Sequence, residues 1–144
     1  MKRCLVDVNV LVPLMVVHHA HHKAAKLWFE NLRPGEAALC RLVQLSLARL
    51  LSNRSVMKEY VLSASVAWDW TVSLMEDERV EFAAEPAFID TVLPKMFRYS
   101  VPTHNLVTDG YLAAFAIAAS LRLATFDKGF DQFSGLDLQL LPTS

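Results

Sequence analysis

With two cysteines, four glycines and six prolines in 144 residues, the sequence has little of what marks disulfide-stapled, collagenous or low-complexity chains. Cys4 and Cys40 each lie in an apolar, strand-like run and lack the close pairing of a zinc site. Both read as small buried hydrophobes of a reduced, cytoplasmic protein. No apolar run approaches the roughly 20 residues of a membrane helix, so no membrane association is expected. Lys2 and Arg3 precede an apolar stretch as in a secretory leader, but Asp7, Asn9 and Pro13 interrupt it and no small-residue cleavage site follows. Charge of one sign is also missing. With 14 basic and 15 acidic residues the net charge is −1, so any nucleic-acid site must be local rather than carried by bulk positive charge. No internal repeat is present.

What the chain does have is apolar material. At 53% hydrophobic residues it can bury one core and is too short for two ordinary domains, so a single domain over residues 1–144 is expected. Arg3 to Val6 reads as a buried strand ending on Asp7, and Ala37 to Cys40 as a second strand. Between them, Ala20 to Asn31 has helical spacing and is stopped by Arg33-Pro34-Gly35. In Arg41 to Leu51, Val43, Leu47, Leu50 and Leu51 follow a helical stripe that leaves Arg41 and Gln44 on a different face, and Ser52-Asn53 ends the helix. The pattern predicts further helices over Val66 to Met75, from Pro86 toward Met96 and over Thr108 to Leu121, with strands at Val80 to Phe82, Leu123 to Phe126 and, as an edge, Leu138 to Leu141. Asp127 starts a short turn or helix through Phe133. Alternation of strands and helices implies an α/β fold with a mainly parallel sheet of four to five strands.

Asp7 and Asp127 each directly follow a strand, where parallel sheets place their chemistry, and Asp109 opens a helix. Each has an ordinary structural explanation as a helix or turn cap. Right-handed crossovers, however, would carry two strand ends and one helix start to the same rim. Clustered carboxylates raise one another's pKa unless a cation compensates, and an all-oxygen set suits Mg²⁺ or Mn²⁺ rather than zinc. Such an ion assists hydrolysis of a phosphodiester.

Three segments, LVDVNVLVPL (Leu5 to Leu14), CRLVQLSLARLLSN (Cys40 to Asn53) and TDGYLAAFAIAASLRLATFDKGF (Thr108 to Phe130), resemble in order and separation the signature blocks of VapC-type PIN domains. The resemblance implies a three-layer α/β/α PIN domain that cuts RNA as the toxin of a type II toxin–antitoxin pair. It implies Asp7, Asp109 and Asp127 as Mg²⁺ or Mn²⁺ ligands, with Asn9 and Thr125 as hydrogen-bonded supports. A homodimer and a VapB-like antitoxin covering the cleft are implied as partners. The family usually carries a Glu on the helix after the second strand, and the matching position here is Gln44. Gln can offer a carbonyl oxygen or orient water, but it supplies no charge and no base. The resemblance therefore leaves open either a weakened nuclease or a degenerate PIN domain that holds RNA or a protein partner without cutting.

Other residues carry lesser expectations. Asp131 is an auxiliary ligand if its turn is helical, and exposed surface otherwise. His18, Arg41, Arg49 and Lys128 are candidate RNA contacts, although basic residues taken singly are usually solvated surface. His18 and His22 stand at i, i+4 within a His cluster, but no Cys or Glu motif accompanies them and a metal site there is not expected. Most of Trp28, Trp68, Trp70, Phe82, Phe88, Phe97, Phe115 and Phe126 are expected in the core. A phosphatase using Asp7 as nucleophile would want an Asp two residues on, where Asn9 stands.

Overall fold

The aliphatic runs between helical stretches form five short strands in the computed structural model, which describes residues 2–98 and 100–143. They are β1 (Cys4–Val6), β2 (Ala37–Leu39), β3 (Val80–Phe82), β4 (Arg122–Thr125) and β5 (Leu138–Leu140). The sheet order is β3-β2-β1-β4-β5 and every neighbouring pair is parallel. Parallel neighbours need helical crossovers, and seven helices among the described residues supply them. These are α1 (Val8–Met15), α2 (His22–Glu30), α3 (Arg41–Leu51), α4 (Arg54–Met57), α5 (Ala64–Met75), α6 (Ile89–Met96) and α7 (Leu106–Ala118). Helices α1, α2, α3 and α5 pack as one connected group, and α6 packs on α7.

The central strands are apolar on both faces because helices cover both faces. Leu5, Val6, Leu39 and Leu123 are fully buried, each contributing about 1.5–3 kcal/mol of burial. Strand β3 lies at the sheet edge with Glu81 and Phe82 exposed, and β5 forms the other edge.

Several boundaries differ from the sequence expectations for identifiable reasons. Helix α7 begins at Leu106 rather than Thr108 and ends at Ala118 rather than Leu121. Its stop is a Schellman turn in which Leu121 N donates to Ala116 O at 2.8 Å and Ser120 N to Ile117 O at 3.2 Å, with Ser120 at φ 56°. Pro86 does not open α6; its carbonyl accepts from Ile89 N at 3.2 Å in the turn before that helix. The expected helix end at Ser52-Asn53 is also a new start, since the Asn53 side chain accepts from Ser55 N and caps α4. Gln44, expected on a different face from the buried stripe, is itself buried. Most of the aromatics expected in the core are there, with Trp28, Trp70 and Phe126 packed against it, and three are not. Phe115 is buried and Trp28, Trp68, Trp70 and Phe126 half-buried, but Phe82, Phe88 and Phe97 are exposed.

Candidate active site

The chain leaves β1 toward β2 and β3 on one side, then returns to place β4 and β5 on the other. The boundary between β1 and β4 is therefore a topological switch point, where crossovers diverge and leave a crevice beyond the strands' carboxyl ends. Asp7 follows β1 directly, and its N–H donates to Ala124 O of β4 at 3.0 Å. Asp127 follows β4 two residues on. Asp109 comes from the first turn of α7. All three aspartates line one cleft of about 380 Å³.

Thr125, the last residue of β4, organises the rim and is fully buried. Its hydroxyl donates to Asp7 Oδ2 at 2.8 Å and accepts from Asn9 Nδ2 at 3.1 Å and Asp127 N at 3.0 Å. Asn9 Oδ1 accepts in turn from Phe126 N at 3.3 Å. One hydroxyl thus ties Asp7, Asn9 and the backbone of Asp127 together. Asp127 also caps the short turn after β4 by accepting from Gly129 N at 2.8 Å. Asp7 makes no capping bond to α1.

Burial pushes the Asp7 carboxyl above its ordinary range, despite the opposing effect of the Thr125 hydroxyl and the nearby amides of Val8 and Asn9; the Asp127 charge adds to the rise. Asp109 is pushed up to about 6, first by burial and then by the charges of Asp7 and Asp127. Asp109 thus feels the charges of both other carboxylates, and Asp7 that of Asp127.

Of the other expected site residues, Asn9 and Arg49 line the cleft. Gln44 does not: it is buried behind α3, and its Oε1 accepts from Arg41 Nη1 at 2.8 Å. Arg41 lies with its guanidinium 5.1 Å from the centre of the Phe82 ring, away from the cleft lining. Lys128 and Asp131 sit exposed on the turn after Asp127 and do not line the cleft. His18 packs at a tilt against Tyr60, with ring centres 3.9 Å apart. Its neighbours have local structural work: His19 Nδ1 accepts from His21 N, His22 Nδ1 bonds Pro13 O, and His21 stacks on Phe126. Sequence reading missed Ser46, His104, Asn105 and Thr108, which also line the cleft. Helical phase on α3 could have found Ser46, whereas nothing in the sequence marks His104. A larger cavity of about 560 Å³ between α2 and β5 contains no acidic residue.

In charge and donor chemistry the aspartates fit a hard divalent cation: three carboxylates with no sulfur ligand beside them and charges that repel. In spacing the set is open. Among the described residues no three His, Cys, Asp or Glu side chains stand close enough together to enclose an ion. Asp7, Asp109 and Asp127 are the residues that would hold one.

The PIN domain family model matches residues 4–136. Ribonuclease VapC41 of Mycobacterium tuberculosis is 34% identical over 142 residues, covering 95% of this chain and 97% of the relative. Ribonuclease VapC29 of the same organism is 34% identical over 140 residues, covering 97% of each. Among solved structures, VapBC-1 from nontypeable Haemophilus influenzae superposes with a TM-score of 0.67 at 17% identity over 94% of this chain and 96% of that one. The Mycobacterium tuberculosis VapC20 toxin, described as cleaving the sarcin-ricin loop, gives 0.66 at 17% identity over 92% and 98%. These last two likenesses concern the fold, and they agree with the all-parallel sheet and its flanking helices. Taken with the switch-point aspartates, the family match and the near full-length relatives place this chain in the PIN-domain family, in its VapC-like group.

Proposed function

We propose that this chain is an endoribonuclease dependent on Mg²⁺ or Mn²⁺ and the toxin half of a type II toxin–antitoxin pair. The observation that carries the reading is the meeting of Asp7, Asp109 and Asp127 at one switch-point cleft, with Asp109 held near 6 by burial and by the other two. A bound divalent ion supplies positive charge to an attacked phosphodiester and acidifies water beside it. The chain's own residues prepare that place. Thr125 fixes the Asp7 carboxylate, Asn9 braces the loop after β4, and Asp127 is held by its own turn. Arg49, exposed at the cleft wall, is placed to bind an RNA phosphate. Hydrolysis adds the hydroxyl of water to phosphorus and a proton to the leaving ribose oxygen.

An apolar hollow formed by Leu42, Leu93, Phe97, Val107, Thr108 and Tyr111 adjoins the cleft and shares Leu42 and Thr108 with it. It supports docking of a VapB-like antitoxin segment beside the aspartates, in keeping with fold neighbours that include VapBC-1. A homodimer belongs to the same reading. The open spacing of the aspartates favours one alternative, a PIN domain that holds RNA without cutting it.

Incubating the purified chain with structured RNA in millimolar Mg²⁺ or Mn²⁺ separates the two. The nuclease reading expects cleavage that stops with chelator and with Asp7→Asn. Cleavage surviving Asp7→Asn would sink it, and RNA binding without cleavage would establish the alternative.

A further inference from the structure

Helix α3 turns one face to the cleft, and that face consists of Leu42, Val43, Ser46, Arg49 and Leu50. At about 100° per residue these five span roughly a third of the helix circumference, and Ser46 lies at their centre. Gln44 is two residues earlier, about 160° round the helix from Ser46. Its neighbours in that direction are Leu47 and Leu51, both fully buried. The carbonyl of Gln44 is committed to Arg41 at 2.8 Å, and Arg41 is held in turn by Phe82. For Gln44 to reach the aspartates, the helix would have to rotate by nearly half a turn and drive Ser46 and Arg49 into the core. By contrast, the Ser46 hydroxyl makes no protein hydrogen bond among the described residues.

We propose that Ser46, not Gln44, is the α3 position that faces Asp7, Asp109 and Asp127, and that it orients what those aspartates bind. Gln44 is then a structural residue that anchors Arg41. The α3 wall of the cleft presents a neutral hydroxyl and, one turn on, the Arg49 cation, in place of a fourth carboxylate. Restoring an acid at position 44 therefore adds a charge beside Arg41, whereas an acid at position 46 adds one to the site. The placement rests on helix geometry alone, and its consequence for metal rests on the functional reading above.

Two measurements on the full chain test it. The first introduces Ser46→Cys and Gln44→Cys separately and follows modification by a cationic and an anionic methanethiosulfonate reagent. Background is low because Cys4 and Cys40 are buried, with thiols raised by burial, Cys4 to about 12. The thiol at 46 should react about tenfold faster than that at 44 and prefer the cationic reagent, a preference that Asp109→Asn weakens. Equal rates, or a faster thiol at 44, would overturn the placement.

The second titrates Mn²⁺ into Ser46→Glu and Gln44→Glu, with folding checked by circular dichroism. Ser46→Glu should bind about tenfold more tightly than the starting chain, and Gln44→Glu should leave affinity within about twofold. Tightening by Gln44→Glu alone overturns the proposal. If no variant takes up Mn²⁺ while the thiol pattern is as expected, the metal reading falls and the placement of Ser46 stands.

Discussion

Replacing Asp109 by Asn should stabilise the metal-free protein at neutral pH, as expected where a site holds repelling charges for function. Asp109 ionises near 6 in the fold and at its ordinary 3.8 in the unfolded chain. Below about pH 4 both states are protonated and the group costs nothing. As pH rises through about 6 the folded protein must also carry the charge, and the relative stability it held at low pH is lost. At about 1.4 kcal/mol per pH unit, a difference of about two gives an upper bound near 3 kcal/mol. Asp109 is only half-buried, so solvent screening brings the expected gain for Asp109→Asn to about 1 kcal/mol. For a chain of this size that is a rise in Tm of about 2–4 °C. Asn keeps the shape of the first turn of α7, so the comparison isolates the charge. The assay is thermal or urea unfolding of both proteins in chelator at pH 7.5 and pH 4. The variant's advantage should be present at pH 7.5 and absent at pH 4, and added Mn²⁺ should favour the unsubstituted chain instead. A variant less stable at pH 7.5, or an advantage that does not change with pH, would refute the reasoning.

Two further perturbations follow from the geometry. Thr125→Val keeps the buried shape but removes the hydroxyl that holds Asp7, Asn9 and the Asp127 backbone; loss of about 1–3 kcal/mol in urea unfolding is expected, with Mn²⁺ affinity reduced in the same protein. An unchanged affinity would mean that Asp7 needs no such support. Ser120→Gly relieves a left-handed residue at the end of α7 and should raise stability by up to about 1 kcal/mol, whereas a loss would show that the Ser side chain is needed there.

The parallel sheet and the rim where it places Asp7 and Asp127 were legible in the sequence, because both depend on short-range pattern: an apolar strand, then an acid, then helical spacing. The identity of Thr125 and Asn9 as supports came only with the family resemblance, since their bonds join residues more than a hundred positions apart. What was not legible is equally local in cause. Ser120 occupies a position where glycine is the usual signal, so the sequence carries no mark of where α7 ends. Gln44 and Arg41 are polar, which points away from the core, but a hydrogen bond between them lets Gln44 be buried. Ser46 carries no signal of its own, being small and neutral, and only the phase of α3 puts it on the face toward the acids. The exposed Phe82, Phe88 and Phe97 have the composition of core residues and lie on edges and loops whose surroundings the sequence does not specify.

In the proposed function, three acidic side chains from separate parts of the chain share one hard cation. Anomalous diffraction from crystals soaked in Mn²⁺ tests this most directly. The predicted result is a manganese peak in the switch-point cleft, within about 2.0–2.4 Å of oxygens from Asp7, Asp109 and Asp127. Manganese bound elsewhere while that cleft holds none would contradict it.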